Sequence, residues 1–226
     1  MKYKNKFGTI PVMEEEDLFR GKTLALSMSG GADSTMLCYL LAKTSYEQNL
    51  EITIQPYNGY DTWAPIDSSG VPNIIEFIRK EFPDIDIQWP LAVVFNTNGN
   101  HAPNDKNMYI RPLIHKLVEH KMVDVVMSGI SMGQPLDVQT QLLKEGRIER
   151  ITRLPGYHLW NEVENSCDHQ APFKHIDKRF IIQCYKDFNL EHLLKMTNSC
   201  THPRGNCGKC WWCQERVWAF KEVFSI

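Results

Sequence analysis

The chain has no run of apolar residues approaching the ~20 that a membrane-spanning helix requires, and it shows no internal repeat and no low-complexity stretch. Its basic N-terminus, Met1-Lys2-Tyr3-Lys4-Asn5-Lys6, has no apolar core behind it and so does not read as a signal peptide. A surplus of basic charge is also missing: 25 Lys and Arg stand against 27 Asp and Glu, a formal net charge of −2. Proteins that grip long nucleic acids usually carry such a surplus, because phosphate contacts supply most of their non-specific affinity. Nucleic acid is therefore disfavoured as a partner, although the balance is compatible with a local basic patch. A Walker A loop is missing as well. Gly21-Lys22-Thr23 has Glu16 where that motif needs its first glycine, and it reads as a turn ahead of the first strand. What remains is the expectation of a soluble cytoplasmic enzyme whose 226 residues suffice for one α/β domain and a small appendage.

The most informative stretch is Ser29-Gly30-Gly31-Ala32-Asp33-Ser34, directly after the apolar run at 24–28 and directly before Met36, Leu37, Leu40 and Leu41 at helical spacing. Strand, Gly-Gly turn and helix together make an anion cradle. Glycine lets the backbone approach a phosphate and adopt positive φ, and the first helical N–H groups and the helix dipole then face the anion. Ser27, Ser29, Gly30, Gly31, Asp33 and Ser34 are the candidate nucleotide-binding residues, with Asp33 and Ser34 also candidates for catalysis. Asp33 offers a carboxylate that can hold Mg²⁺ against phosphates. The plainer reading is a serine-rich strand–helix turn that binds nothing.

Strands are expected at 24–28, at 52–55 (ending at Pro56-Tyr57-Asn58-Gly59), at 85–94 with an interruption at Pro90, and at 123–127 ending at Ser128-Gly129. Helices are expected at 34–47, from Pro72 with Ile74, Ile75, Phe77 and Ile78 as its apolar stripe, and around Leu113, Ile114, Leu117 and Val118. Asp177 reads as the N-cap of a helix bearing Phe180, Ile181, Cys184 and Phe188, and a short helix follows from Leu190. Alternating strands and helices at this spacing predict an α/β fold with a doubly wound parallel sheet, whose ligand crevice lies at the carboxyl ends of the strands. Between 131 and 171 the pattern fades. This stretch reads as lid or subunit contact, which leaves a homodimer open. Its Lys144, Arg147, Arg150 and Arg153 read as a solvated face, with phosphate binding as the alternative.

Seven cysteines occur, and four of them follow the spacing Cys200-x6-Cys207-x2-Cys210-x2-Cys213. Four thiolates this close can close a tetrahedral site around Zn²⁺ and leave no open coordination position, so the site reads as structural. Zinc is preferred to an iron–sulfur cluster because nothing else in the chain suggests redox chemistry. Gly205 and Gly208 supply turns, Arg204 and Lys209 offset the thiolate charge, and His202 is a substitute ligand with poorer spacing than Cys200. Trp211, Trp212, Val217, Trp218, Phe220 and Phe224 form an apolar helix that can dock on the main domain, with base stacking by the tryptophans as the alternative. Cys38 and Cys184 lie in helical patterns and are expected to be buried. The expected organisation is a nucleotide domain over 1–196 and a zinc segment over 197–226.

The 29–34 loop resembles the SGGxDS loop of the PP-loop ATP pyrophosphatases, an adenine nucleotide alpha hydrolase-like superfamily. Together with the terminal cysteines it resembles the 7-cyano-7-deazaguanine synthases, which carry SGGxDS near one end and C…CxxCxxC near the other. Pro172 followed by Ile176-Asp177-Lys178 is similar to that family's proline and DK segment, and 125–129 to its strand ending in a small residue and glycine. The likeness covers about 24–43 and 172–220. The chain departs from the family at Asp105-Lys106-Asn107, where only the asparagine of a Pro-Gly-Arg-Asn segment remains, and at Thr201-His202-Pro203, which stands for Tyr-Asn-Gly.

The resemblance implies that Lys178 faces the ATP phosphates and acts in catalysis. It also implies an ATP-dependent C–N ligase that adenylates 7-carboxy-7-deazaguanine, admits free ammonia to give the amide, and dehydrates the amide to the nitrile, with ATP, Mg²⁺ and structural Zn²⁺. Tyr57, Tyr60 and Trp63 are candidates to stack on the base, and the loops at 96–107 and 128–137 to pair with its polar edge. Three rival readings remain. One is an amide synthase or ligase using another amine. Another is a PP-loop tRNA thiolation enzyme, for which Cys167 is the candidate sulfur carrier. The last is a non-catalytic ATP- and zinc-binding adaptor.

Overall fold

The computed structural model describes residues 1–62, 70–95, 113–114, 116–151, 169–200, 202, 205 and 207–225. Its centre is strand β3 (Thr23–Ser27). Leu24, Ala25 and Leu26 are all fully buried, as expected of a strand covered on both faces of a parallel sheet. Strand β4 (Thr53–Asp61) lies on one side of β3 and β7 (Val125–Ser128) on the other, both parallel to it. Beyond β4 come the short β5 (Asp86–Ile87) and β6 (Leu91–Phe95), and beyond β7 comes β8 (His169–Gln170). The chain thus starts the sheet in the middle, winds outward to one edge, and returns to build the other.

The two faces of the sheet follow from the strand period of two. Leu24, Leu26, Ile54 and Met127 point into the larger core, whereas Ala25, Tyr57 and Val126 point into a smaller one with Ile114 and Val123. The larger core is covered by α2 (Ala32–Gln48), α3 (Val71–Glu81), α5 (Lys178–Asp187), α6 (Glu191–Met196) and α7 (Trp211–Phe224). Helical residues at 113–114 and 116–119 cover the smaller one. Helices on both faces make the sheet doubly wound.

Strand β4 runs through the expected end at Pro56-Tyr57-Asn58-Gly59 and continues to Asp61. The missing N–H of Pro56 is tolerated because of where it falls. Ile54 accepts from Gln88 at the end of β5 (2.8 Å), and pairing with β6 begins only at Tyr57↔Leu91. Proline therefore sits at the break between two partner strands, where no ladder bond is lost. The same break is the interruption expected near Pro90. Helix α2 spans 32–48 and is buried around nearly its whole circumference, Thr44 and Ser45 included. Among the described residues, no helix is long and apolar enough to cross a membrane.

One element has no counterpart in the sequence reading. Residues of the basic N-terminus form a hairpin, β1 (Lys2–Asn5) with β2 (Gly8–Pro11), followed by a single helical turn, α1 (Glu16–Phe19). The hairpin is pinned to the larger core by Tyr3 Oη against Thr44 Oγ1 (2.9 Å) and by Asn5 Nδ2 donating to the Phe180 carbonyl (3.0 Å). A further helix, α4 (Leu136–Lys144), lies in the stretch where the sequence pattern fades. Leu142 of α4 and Ile148 pack with Trp211 at the start of α7.

Phe180 is fully buried where α5 meets the hairpin. Phe180→Ala is expected to lower the free energy of unfolding by about 3–5 kcal/mol. The check is the urea midpoint, with an unchanged slope showing that the loss is one of packing.

Candidate functional site

The loop after β3 stands at the carboxyl end of the central strand, beside the switch in winding direction where open α/β sheets place ligands. Met28 N still donates to Tyr57 O (2.8 Å), and the backbone then leaves the sheet. Gly30 takes φ +78°, a conformation that side chains resist. Gly31 caps α2 without a side-chain hydrogen bond, so a helix of 17 residues opens with its first amides uncapped by side chains. Ser34 Oγ receives Ser29 N (3.2 Å) and donates to Gly31 O (3.3 Å), and Ser29 Oγ lies 3.2 Å from Ser34 Oγ. The loop is therefore closed on itself, with Ser29 exposed at its tip and Ser27 half-buried at its base.

The loop is held from two sides. Asn198 N donates to Gly30 O (2.9 Å), which ties it to the segment entering the cysteine cluster. On the other side Gly129, after β7, is packed against the start of α2. A Cβ at position 129 would stand 2.8 Å from the backbone carbon of Asp33 and 2.8 Å from Ser34 N. Only glycine permits that approach. Gly129→Ala is expected to displace the start of α2, lowering the melting temperature by several degrees (about 1–3 kcal/mol for overpacking against fixed backbone).

Asp33 is at the centre of the ionic chemistry. Lys178 Nζ lies 2.5 Å from its Oδ1 and 2.6 Å from its Oδ2, and Ser131 Oγ donates to Oδ2 at 3.2 Å. Lys178 is the first residue of α5, and its placement follows from the cap. Asp177 accepts from Arg179 N (2.9 Å) and from the Arg179 guanidinium, which starts the helix and turns Lys178 inward. The Lys178 ammonium is buried, and its second counter-charge is Glu215 Oε2 of α7 at 3.3 Å. Lys178 thus stands beside the loop, and in this structure it grips Asp33. Gly129, Ser131 and Glu215 were not singled out from the sequence. Gly129 and Ser131 fall in stretches flagged only as a strand end and a polar loop, and no spacing rule marks Glu215.

The four expected cysteine ligands converge. The Sγ atoms of Cys200, Cys207, Cys210 and Cys213 all lie within 4.8 Å of one another, with Cys210 and Cys200 at 3.9 Å. Backbone N–H groups aim at the sulfurs: His202 and Cys207 donate to Cys200 (3.3 Å each), and Lys209 (3.5 Å) and Cys210 (3.3 Å) donate to Cys207. Burial raises the Cys207 thiol, but the N–H donations outweigh it and bring the group down to about 7, which favours thiolate. The cluster can hold a metal ion. A tetrahedral ion with bonds of about 2.3 Å spaces its sulfurs by roughly 3.8 Å, close to the 3.9 Å between Cys200 and Cys210. A cubane cluster, each thiolate on a different iron, needs them further apart. His202 meets the cluster through its backbone N–H, which donates to Cys200 Sγ.

Helix α7 starts at Cys210 as N-cap and carries Cys213. It docks on the main core, with Ala219 and Val223 inside it and Trp218, Phe220 and Phe224 partly buried against it, while Trp211 is buried and donates to Gln139 Oε1 (3.3 Å); of the expected apolar set, Val217 instead faces outward. Cys38 and Cys184 are buried, and burial pushes both thiols up to about 12. Tyr57 is buried in the smaller core, which raises its hydroxyl, so its ring serves packing. Lys144 and Arg147 lie on an exposed surface, Arg147 paired with Glu145 at 3.3 Å. Trp63, Cys167, Arg153, Arg204, the 96–107 loop with Asp105, Lys106 and Asn107, and Thr201 and Pro203 lie outside the described residues.

No protein-family model matches the chain, and no curated protein matches it. Among solved structures it is similar to the U34-tRNA thiolase NcsA from Methanococcus maripaludis with its 4Fe-4S cluster, at 11% identity and a TM-score of 0.47, over 92% of this chain and 75% of that one. The fold class follows from the topology and the loop. It is a doubly wound parallel sheet with flanking helices and a C-terminal four-cysteine cluster.

Elemental analysis is expected to find one metal ion per chain at neutral pH, and Cys213→Ser protein is expected to lose most of it. Binding displaces thiol protons, so affinity is expected to fall as pH is lowered. Full metal content in the variant would refute the site.

Proposed function

We propose that this chain is an ATP-dependent C–N ligase of the PP-loop kind, which activates a carboxylate by adenylation and passes it to ammonia. The observation that carries the ATP half is the closed Ser29–Ser34 loop at the mouth of the central strand, with the Lys178 ammonium beside it. The acceptor half rests on the likeness of the loop and the cysteine spacing to the 7-cyano-7-deazaguanine synthases, and names 7-carboxy-7-deazaguanine as the substrate.

A carboxylate is a poor electrophile because oxide is its leaving group. Its oxygen attacks the α-phosphorus, pyrophosphate leaves, and the acyl adenylate then carries AMP as the leaving group. Ammonia displaces AMP and gives the amide. A second adenylation, on the amide oxygen, allows loss of AMP and a proton to leave the nitrile. In this scheme the uncapped first amides of α2 and the hydroxyls of Ser29 and Ser34 bind the phosphates. Lys178 stabilises the charge that develops on departing pyrophosphate. Asp33 and Ser131 are the groups that would hold Mg²⁺, which neutralises phosphate charge when it is bound. The four-cysteine cluster is assigned a structural Zn²⁺ on its sulfur spacing and closed donor set.

The thiolation reading asks for an accessible sulfur carrier. Outside the cluster, the described cysteines Cys38 and Cys184 are buried, and that reading's candidate, Cys167, lies outside the described residues. The test is product analysis with ATP, Mg²⁺, ammonium and 7-carboxy-7-deazaguanine. AMP, pyrophosphate and the nitrile are expected, and Asp33→Ala is expected to reduce turnover by about 10² or more. ADP and orthophosphate would sink the adenylation reading. AMP with an acceptor other than the deazaguanine would sink only the substrate.

A further inference from the structure

The Lys178 ammonium is held between two carboxylates that arrive from different parts of the fold. Asp33 belongs to the phosphate loop and Glu215 to the helix that leaves the cysteine cluster. An ammonium has three donors. Asp33 Oδ1 and Oδ2 accept from it at 2.5 and 2.6 Å, and Glu215 Oε2 stands 3.3 Å away as an ion-pair partner. Lys178 and Glu215 are almost entirely shielded from water, with side-chain exposures of 3% and 0%, whereas Asp33 keeps 15%. Of the three, Asp33 is the one with access to a ligand. It cannot turn toward one without withdrawing from Lys178, and a buried ammonium left without a counter-charge is costly.

We propose that Glu215 is the positioning residue that makes this exchange possible. It is the standing counter-ion of Lys178, so that Asp33 can change partner from the ammonium to the cation of a bound Mg·ATP while the ammonium stays neutralised and in place. The inference rests on the ATP reading of the loop. It also gives the cysteine cluster a role at a distance. Glu215 lies two residues beyond Cys213, on a helix whose first turn the cluster anchors, so the metal segment sets where the counter-ion stands.

The test compares wild type, Glu215→Gln and Glu215→Asp as purified metal-loaded proteins. Mg·ATP binding is measured by calorimetry at a series of Mg²⁺ concentrations, alongside metal content and melting temperature. In Glu215→Gln, which keeps the shape and loses the charge, the Mg²⁺ concentration for half-maximal ATP binding is expected to rise about tenfold or more, within the range of ordinary site-to-site coupling. Metal content should stay at the wild-type value. Glu215→Asp, which keeps the charge, is expected to recover most of the shift. A packing role alone would lower the melting temperature of both variants and leave the Mg²⁺ midpoint in place. That result, or an equal shift in Gln and Asp variants, would overturn the proposal. Wild-type protein that fails to bind Mg·ATP at all would overturn the ATP reading and this inference with it, whereas normal wild-type binding with an unmoved Glu215→Gln midpoint overturns this inference alone.

Discussion

The buried Lys178 ammonium is the contact on which the arrangement of the site depends. It is drawn to Asp33 at the start of α2 and to Glu215 on α7, and it sits itself at the start of α5. Three helices widely separated in sequence are thereby joined at one point beside the Ser29–Ser34 loop. Ionic contacts at an exposed surface contribute little. Here the charges are shielded, and removing one partner of such a set typically costs about 3–5 kcal/mol because the remaining charge is stranded. The geometry therefore penalises any displacement of α5 or α7 relative to the loop.

That constraint is reinforced by neutral contacts of the same segments. Asn198 ties the approach to the cysteine cluster to Gly30, and Arg216 ties α7 back to the end of α6 through the Thr197 and Leu194 carbonyls (3.0 and 2.8 Å). Tyr185 of α5 donates to the Ala32 carbonyl at the first residue of α2 (2.8 Å). Burial raises the Tyr185 hydroxyl well above its ordinary range, so it stays a donor at any physiological pH. The four-cysteine cluster is thus continuous with the side of the sheet that carries the Ser29–Ser34 loop.

Much of this was legible beforehand. The loop, the strand before it and the helix after it follow from a short apolar run, two glycines and a 3.6-residue stripe, all local patterns. The cysteine site follows from spacing alone, because a tetrahedral thiolate set needs its ligands on tight turns. The cap at Asp177 was visible for the same reason, being a contact between a side chain and an amide two residues on. The N-terminal hairpin was not, since Lys2–Pro11 lacks a strong alternating pattern and owes its place to Tyr3 and Asn5 docking on distant helices. Pro56 misled for a related reason: a proline ends a strand unless its absent N–H happens to face a gap, and the gap between β5 and β6 is a property of the assembled sheet.

By itself, then, the order of residues determined the fold class, the glycine-rich loop after the central strand and the convergence of four cysteines, because each rests on interactions between near neighbours in the chain. Tertiary structure alone decided what surrounds Asp33. Glu215 is separated from it by most of the chain, and Ser131 and Gly129 reach it only because β7 lies beside β3 in the sheet. Pairings of charge across such distances leave no periodicity behind. They are selected by burial, which makes the partner of a shielded ammonium a matter of which carboxylates the packed helices bring within reach.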